Sequence, residues 1–222
     1  MAPAVRGLAS ERGTVLIAAL MVIVLVGTLG AALVMVVSTE SGTAANYQAA
    51  QQSLYAADAG IDRAAGDLRL LASWRDVPAP ASASPSGDFN DGLPMSSAPD
   101  GRPLDLVQLT ATLQAESNAI YPNTPNRPVW RLFGHASLNR MISGAANVPP
   151  YVVVWVADDP DDPDGDCGID TNDVVMVHAE AFGIRGSRRA IEATIQREEA
   201  MAAGFPGVTR TDVRLIAWRE VR

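Results

Sequence analysis

Cysteine, aromatic residues and excess positive charge are all scarce in this sequence of 222 residues. The one cysteine, Cys167, excludes an intrachain disulfide framework. Aromatic residues make up 5% of the chain and the formal net charge is −8, whereas nucleic-acid-binding proteins carry a basic face or stripe. We therefore expect no nucleic-acid partner.

Catalytic motifs are also missing. His178 and Glu180 would share one face of a β-strand, but no Ser, Cys or second His is placed to complete a catalytic set with them. The turn "GIRGS" lacks the lysine and the spacing of a phosphate-binding loop. We predict a structural role for both residues and a protein that is not an enzyme.

A long apolar run, Val15 to Val37, is the first feature that the sequence does have. It contains no charged residue, and its polar side chain is Thr28. As a helix it would measure about 35 Å against a hydrocarbon core of about 30 Å, and it is too long for a cleavable secretory signal. Since Arg6 and Arg12 precede the run, we expect a single membrane span with a cytoplasmic amino terminus and an external remainder.

The helical pattern continues beyond the apolar run. Residues 44–72 contain no proline and carry apolar side chains three or four positions apart, which predicts an amphipathic helix continuous with the span, over 14–73. The stripe consists of Tyr47, Ala50, Leu54, Ala57, Ile61, Ala64, Leu68 and Leu71. A coiled-coil stalk is the alternative, but a stripe rich in alanine favours packing against a sheet or neighbouring helices at close range.

Three features of this N-terminal segment together resemble a known family. They are the leader ending in Arg12-Gly13, the uncharged run "TVLIAALMVIVLVGTLG" and the segment "LYAADAGIDRAAGDL". Over residues 9–72 the chain resembles PilX-type minor pilins of type IV pili, and it is also similar to K-type minor pseudopilins of type II secretion. The resemblance implies a pilin-like α+β fold, in which the long helix packs on an antiparallel sheet of four to five strands.

The resemblance also implies a processing site. A prepilin peptidase would remove the leader, residues 1–13, by cutting after Gly13, and methylation would then follow on Thr14. Major pilins carry a glutamate at the fifth mature position, and Ala18 stands there in this sequence. Because K-type subunits lack the same glutamate and cap the tip, the resemblance favours a tip-proximal initiating subunit.

Small residues in the middle of the run are candidates for helix packing. Gly27 and Ala31 form a small-xxx-small pair that would let another helix approach closely, and Gly27 and Gly30 each lower helix propensity by about 1 kcal/mol relative to alanine. Ordinary transmembrane glycines are one interpretation. Local unwinding as the helix passes from lipid into a filament is the other.

The rest of the chain predicts a linker followed by a head. Six prolines lie between Arg75 and Pro103, so we expect an irregular, partly mobile linker over residues 74–103 and a globular α+β head over 104–222. In the head, residues 104–116 predict a short helix. Strand patterns follow around Trp130–Asn139, Tyr151–Ala157, Val174–Phe182, Arg189–Glu198 and Asp212–Val221.

An acidic loop, "DDPDDPDGDCGIDTND", lies between two of the predicted strands. If Asp162 is position one of a twelve-residue calcium loop, the other side-chain ligands fall at positions three, five, nine and twelve, with a carbonyl at seven. These residues are Asp164, Asp166, Asp170, Asp173 and, for the carbonyl, Gly168. Cys167 stands at position six, where glycine is preferred, so the candidate Ca²⁺ site competes with a solvated acidic turn.

Two functions therefore remain open from the sequence. The first is a minor pilin that takes part in pilus assembly, with prepilin peptidase, other minor pilins, the major pilin and inner-membrane lipid as partners. It would begin as a single-pass inner-membrane protein with a periplasmic head and end in a pilus at the cell surface. The second is a membrane-anchored, extracytoplasmic calcium-binding or adhesive domain that does not polymerise.

Overall fold

The computed structural model describes residues 8–80, 83–91, 95–142, 148–201 and 209–221 of the chain. The chain divides into two compact units, Met1–Tyr47 and Gln48–Arg222. Helix α1 begins at Leu8 and ends at Arg69, so it contributes to both units. The first seven residues of the predicted leader lie outside the described residues.

The first unit is the apolar part of α1. Its side chains from Val15 to Val37 are exposed all round the helix; Val15, for example, is 67% exposed and Met35 is 71% exposed. By length and composition this is a helix that can cross a membrane, and together with the globular second unit it fits a single-pass membrane anchor.

The second part of α1, from residue 48 onward, packs on a sheet. Four members of the predicted stripe, Ala57, Ile61, Ala64 and Leu68, are at most 4% exposed and belong to the core on that face of the sheet. Tyr47, at the start of the stripe, is 67% exposed. The stripe is thus confirmed where it meets the sheet, and this contact excludes the coiled-coil stalk for this part of the helix.

Gly60 marks the closest approach of α1 to the sheet. A Cβ atom at this position would lie 2.8 Å from Cγ1 of Val152, 3.2 Å from Cγ2 of Val154 and 3.3 Å from Cβ of Ala179. These distances are at or below van der Waals contact, so a larger side chain would push the helix off the strands. The glycine that weakens the helix in isolation is therefore the residue that lets it pack here.

The end of α1 comes at Arg69 rather than at the expected residue 73. The amides of Leu70 and Leu71 turn to the carbonyls three residues earlier, those of Asp67 and Leu68, each at 3.1 Å. The indole nitrogen of Trp74 donates to the Leu68 carbonyl at 3.0 Å. Because backbone amides and one side chain satisfy these last two carbonyls, the helix ends without glycine or proline.

The predicted linker is more ordered than its composition indicates. Trp74, Val77 and Phe89 are at most 2% exposed and join the core under α1, and residues 87–89 form one turn of 3₁₀ helix. Strands β1 (Met95–Ser97) and β2 (Pro103–Asp105) form a small antiparallel sheet. The prolines exclude a long helix, as expected, but large apolar side chains anchor the described part of the segment. Residues 81–82 and 92–94 of the predicted linker lie outside the described residues.

The main sheet has five antiparallel strands, within the four to five that the sequence predicts, and they lie side by side in chain order. A four-residue helix, α3 (Leu138–Met141), follows the first strand, and a 3₁₀ turn (Ile184–Gly186) joins the third strand to the fourth. The strands are β3 (Arg131–Ser137), β4 (Tyr151–Asp158), β5 (Val174–Phe182), β6 (Arg188–Met201) and β7 (Thr209–Val221). This sheet and α1 confirm the α+β class.

Both faces of the sheet are covered near β4, whose eight residues are all buried. One face meets α1, and the other forms a second core with helix α2 (Leu106–Ile120), which contributes Leu106 and Leu113. The side chain of Asp105 accepts from the amides of Val107 and Gln108, both at 3.0 Å, and so begins α2 two residues later than expected. The core thus has two layers of helix around one sheet.

Candidate metal centre

The acidic loop connects β4 to β5 and is built from successive turns. Antiparallel pairing of Asp158 with Val175 fixes both ends of the loop. Inside it, aspartate side chains accept hydrogen bonds from amides two residues later, which is the turn chemistry that aspartate favours. The donating amides are those of Asp161, Asp164, Asp166, Gly168 and Asn172.

Three carboxylates meet at the start of this loop. One oxygen from each of Asp158, Asp159 and Asp162 lies within 4.8 Å of the others, and the three residues are at most 5% exposed. Carboxylate oxygens are the ligands that hard divalent cations prefer. These three residues, called the buried acidic cluster below, could hold a metal ion.

Several oxygen atoms in and beside the buried acidic cluster have no hydrogen-bond donor among the described residues. They are Oδ1 of Asp158, Oδ2 of Asp170 and Oδ1 of Asn126, each in a side chain at most 4% exposed. The amide nitrogen of Asn126 donates to Oδ2 of Asp158 at 2.6 Å and to the carbonyl of Asp159 at 2.7 Å. Buried acceptors without donors are costly, and a cation would satisfy them.

The pKa values of Asp158 and Asp170 are both raised above the usual range of an aspartate. Burial raises the pKa of Asp158 to about 7, the hydrogen bond from Asn126 opposes this, and the charges of Asp162, Asp170 and Asp159 add to it. Burial also raises the pKa of Asp170 to about 6, although amides of the following residues donate to it. Both carboxylates therefore resist ionisation in the metal-free chain.

The pKa values of Asp159 and Asp162, the other two members of the buried acidic cluster, are shifted in opposite directions. Burial raises the pKa of Asp159, and the hydrogen bond from Asn172 only partly offsets this. Burial opposes ionisation of Asp162 too, but the hydroxyl and the amide of Thr171 donate to it at 2.6 and 2.7 Å, and its pKa is lowered. Asp162 is thus held as a carboxylate before any cation arrives.

The predicted loop positions fall into two groups. Asp162 belongs to the buried acidic cluster, and Asp170 is buried near enough for its charge to act on Asp158. Asp164 and Asp166 are exposed and hold turns, while Asp173 lies 3.5 Å from Nη1 of Arg197. The structure does not bring these three carboxylates to the buried acidic cluster.

The sharp turn expected at position six also falls elsewhere. Left-handed backbone conformations occur at Gly165, with φ of 70°, and at Asp173, with φ of 58°, which are positions four and twelve of the predicted loop. Gly168 is half-buried, and its amide donates to Oδ1 of Asp166 at 3.1 Å. The twelve-residue assignment beginning at Asp162 stays a prediction.

Sequence reasoning left three residues of this centre out. Asp158 and Asp159 stand in the quoted acidic stretch but precede position one of the template, so the template placed them outside the site. Asn126 lies 32 residues before Asp158, and only the fold brings it there. The available signal was that Asp158 ends a strand buried on both faces, where a charge has no solvent.

The two residues considered for catalysis have structural contacts. His178 lies edge-on between Trp130 and Trp155, with ring centroids 5.6 and 5.7 Å apart, and Glu180 pairs with Arg188. Such contacts fit the structural role expected of both. That the chain is not an enzyme stays a prediction.

The predicted processing and helix-packing residues lie in the first unit. Gly13, Thr14, Ala18, Gly27, Gly30 and Ala31 all belong to α1 and are exposed. A Cβ atom at Gly13, Gly27 or Gly30 would meet nothing within 4 Å. These positions are therefore accessible to a lipid, an enzyme or another helix.

Comparison with family models, with curated proteins and with solved structures found no match for this chain. The family proposed for it therefore depends on the residues of the N-terminal segment and on the architecture described above.

Proposed function

We propose that this chain is a non-enzymatic minor pilin that takes part in assembling a type IV pilus, near its tip. The observation that carries the proposal is the single helix Leu8–Arg69, in which an uncharged, exposed run is followed by a small-residue stripe that packs on an antiparallel sheet. A signal that is discarded has no reason to continue as a core helix. A helix that is retained and later packs among other helices is expected to continue into the core of the head.

The anchor explains how such a subunit can have two locations. In the inner membrane, the run Val15–Val37 contacts lipid, and the absence of charge keeps its insertion favourable. Ala18 has a methyl side chain at the fifth mature position, where a repeating subunit would carry the carboxylate of a glutamate. A subunit without this carboxylate has no charge to pair with the amino terminus of a neighbour, which suits a position at the end of a filament rather than within its repeat.

Processing gives the first test of this proposal. Prepilin peptidase should convert the membrane form to one that begins at Thr14, because Gly13 is exposed on α1 and has the small size that cleavage after the leader requires. Amino-terminal sequencing of the chain from membranes with and without the peptidase measures this directly.

A pair of glycine variants provides the control. Gly13→Val should block cleavage, whereas Gly27→Val, at another exposed glycine of the same helix, should leave it intact. A chain that still begins at Met1 or Ala2 when the peptidase is present would count against the pilin and favour a membrane-anchored domain that does not polymerise.

Calcium binding by the head is a second proposed property. It is compatible both with a minor pilin and with a membrane-anchored domain that does not polymerise. The specific observation in its favour is that two buried carboxylate oxygens, Oδ1 of Asp158 and Oδ2 of Asp170, have no hydrogen-bond donor within the described part of the chain. We propose that Ca²⁺ binds at the buried acidic cluster with Asp170 beside it. Calcium takes six to eight oxygen ligands in flexible geometry, whereas magnesium requires near-ideal octahedral geometry and keeps its water.

Thermal unfolding tests the calcium proposal. The full chain in lipid nanodiscs should melt at a higher temperature in millimolar calcium than in chelator, because a ligand that binds only the folded state stabilises it. Magnesium at the same concentration should give a smaller shift. Equal melting temperatures in calcium and in chelator would contradict the proposal.

A further inference from the structure

A groove lies on the side of the head that α2 covers. Its walls are α2 and residues 127–132, the last two of which begin β3, and its volume is about 590 Å³. Small-molecule sites usually occupy 300–1,000 Å³, so the groove has room for a ligand of ordinary size. It belongs entirely to the second unit and contains no residue of the buried acidic cluster.

The groove is held in shape by one glutamine. The side chain of Gln114 donates to the carbonyl of Pro128 at 3.0 Å and to Oδ1 of Asn118 at 2.9 Å, and it accepts from the amide of Trp130 at 2.9 Å. The bonds to Pro128 and Trp130 tie α2 to the opposite wall, and the bond to Asn118 orients the glutamine side chain within the helix. The groove is therefore formed before any ligand arrives, which lowers the entropic cost of binding.

The lining of the groove is mostly apolar, with cations on one wall. Leu106, Val107 and Ala111 of α2 face the groove together with Val129. Arg127 and Arg131 line it as well, and among the residues that the structure describes no carboxylate lines it. Most ligand sites combine apolar walls with a few polar groups in this way, and the cations specify the sign of the charge that fits.

Within the described residues neither Arg127 nor Arg131 forms an ion pair, although the chain as a whole carries a net charge of −8. Two buried donors on the same wall, Nε of Arg131 and Nε1 of Trp130, also lack an acceptor among the described residues. Such buried donors cost free energy, and the two arginines give this wall of the groove an excess of positive charge.

We propose that this groove binds a small anionic amphiphile, a molecule with an apolar body and one carboxylate, sulfonate or phosphate group. The apolar body would contact Val107 and Ala111, and the anionic group would accept from Arg127 and Arg131. Guanidinium groups match such oxyanions in shape as well as in charge. This inference goes beyond pilus assembly and does not depend on it.

A small ligand suits the groove better than a nucleic acid would. A nucleic acid is held by a stripe of many cations, and this wall offers two in an acidic chain. Since the net charge of the chain repels anions at long range, preference for an anion would have to come from the local arginines. Selectivity between a charged and a neutral probe of the same shape is therefore the informative measurement.

The experiment uses 1-naphthaleneacetate and its uncharged amide, 1-naphthaleneacetamide. Each is titrated by calorimetry into the full chain in lipid nanodiscs, with empty nanodiscs as the blank. The acetate should bind about tenfold or more tightly than the amide, as expected for charge-assisted hydrogen bonds. Equal affinity for both probes, or no binding of either because another subunit or nothing fills the groove, would overturn the proposal.

Three variants locate the binding. Arg127→Gln combined with Arg131→Gln should reduce acetate affinity to that of the amide, and Ala111→Trp should abolish binding of both probes by filling the groove. Arg140→Gln removes an exposed arginine outside the groove and should change neither. Unchanged melting temperatures show that each variant is folded, and persistence of acetate preference in the double arginine variant would also overturn the proposal.

Discussion

Asp158→Asn should abolish the response of the chain to calcium and stabilise the metal-free protein above pH 7. Asp158 is fully buried and one of its oxygens has no donor among the described residues, so the variant removes a ligand and also removes a buried charge. The rise of the pKa from about 4 to about 7 corresponds to about 4 kcal/mol of unfavourable ionisation. Chemical unfolding of wild type and variant in chelator and in calcium measures both effects.

The pH dependence of the wild type follows from the same carboxylates. Because burial raises the folded-state pKa of Asp158 above its unfolded value near 4, the folded state binds the proton more tightly. The contribution of Asp158 to the free energy of unfolding of the metal-free chain should therefore fall as pH rises from about 4 to about 7 and remain low above that. Asp170, with its pKa raised to about 6, acts in the same direction. Asp158→Asn should make the decrease in the free energy of unfolding between pH 4 and pH 7 smaller.

The matched control is Asp166→Asn. Asp166 is exposed and its side chain holds a turn by accepting from the Gly168 amide, a role that the asparagine oxygen can keep. If the metal lies at the buried acidic cluster, this variant should respond to calcium like the wild type. If it loses the response while Asp158→Asn retains it, the twelve-residue loop is the site and the buried cluster is not.

Gly60→Leu should cost about 3 kcal/mol or more of head stability and lower the melting temperature by roughly 6 to 12 °C. Even a Cβ atom at this position would lie 2.8 Å from Val152, and a leucine adds three further carbons to the same space. Since α1 supplies one of the two helical layers of the core, displacing it also exposes the strands beneath. Thermal unfolding of the full chain, followed by circular dichroism, measures the loss.

Gly66→Ala is the control for helix propensity. Gly66 is exposed on the same helix, and a Cβ atom there would meet nothing within 4 Å. Alanine should stabilise the helix at this position by about 0.5 to 1 kcal/mol. A Gly60→Leu variant that melts like the wild type would contradict the packing of α1 on the sheet.

Elements with a strong local signal could be predicted from the sequence. The apolar run, the alanine stripe from Leu54 to Leu68 and the bounds of β5 depend on composition and periodicity within a short window. The β5–β6 hairpin has turn residues between two regular patterns, which specify antiparallel pairing locally. The α+β class follows from these segments alone.

Features that depend on contacts between distant segments could not be predicted. The linker contains prolines that exclude helix, but nothing local indicates that Trp74 and Phe89 reach the core. Likewise, Gly60 carries the signal of a weakened helix, and only the position of Val152 gives it a packing role. Both are tertiary effects that override local propensity.

The candidate metal centre, too, could be predicted in part from a local signal, while the rest depends on contacts between distant segments. The density of aspartate located the loop, because aspartate makes turns and binds hard cations wherever it is concentrated. The choice of ligands required the fold, since Asn126 approaches from another segment and Asp158 is buried as the last residue of β4. A spacing template counts positions along the chain and does not register burial.

The most direct test of the proposed function is the location and amino terminus of the mature chain. Filaments sheared from the cell surface and freed of membrane should contain this protein at a small fraction of the major subunit, and its sequence should begin at Thr14 with the apolar run retained. Recovery of the chain only from the membrane fraction, or a mature form that begins beyond residue 37, would contradict the proposal that this helix is retained as an assembly element.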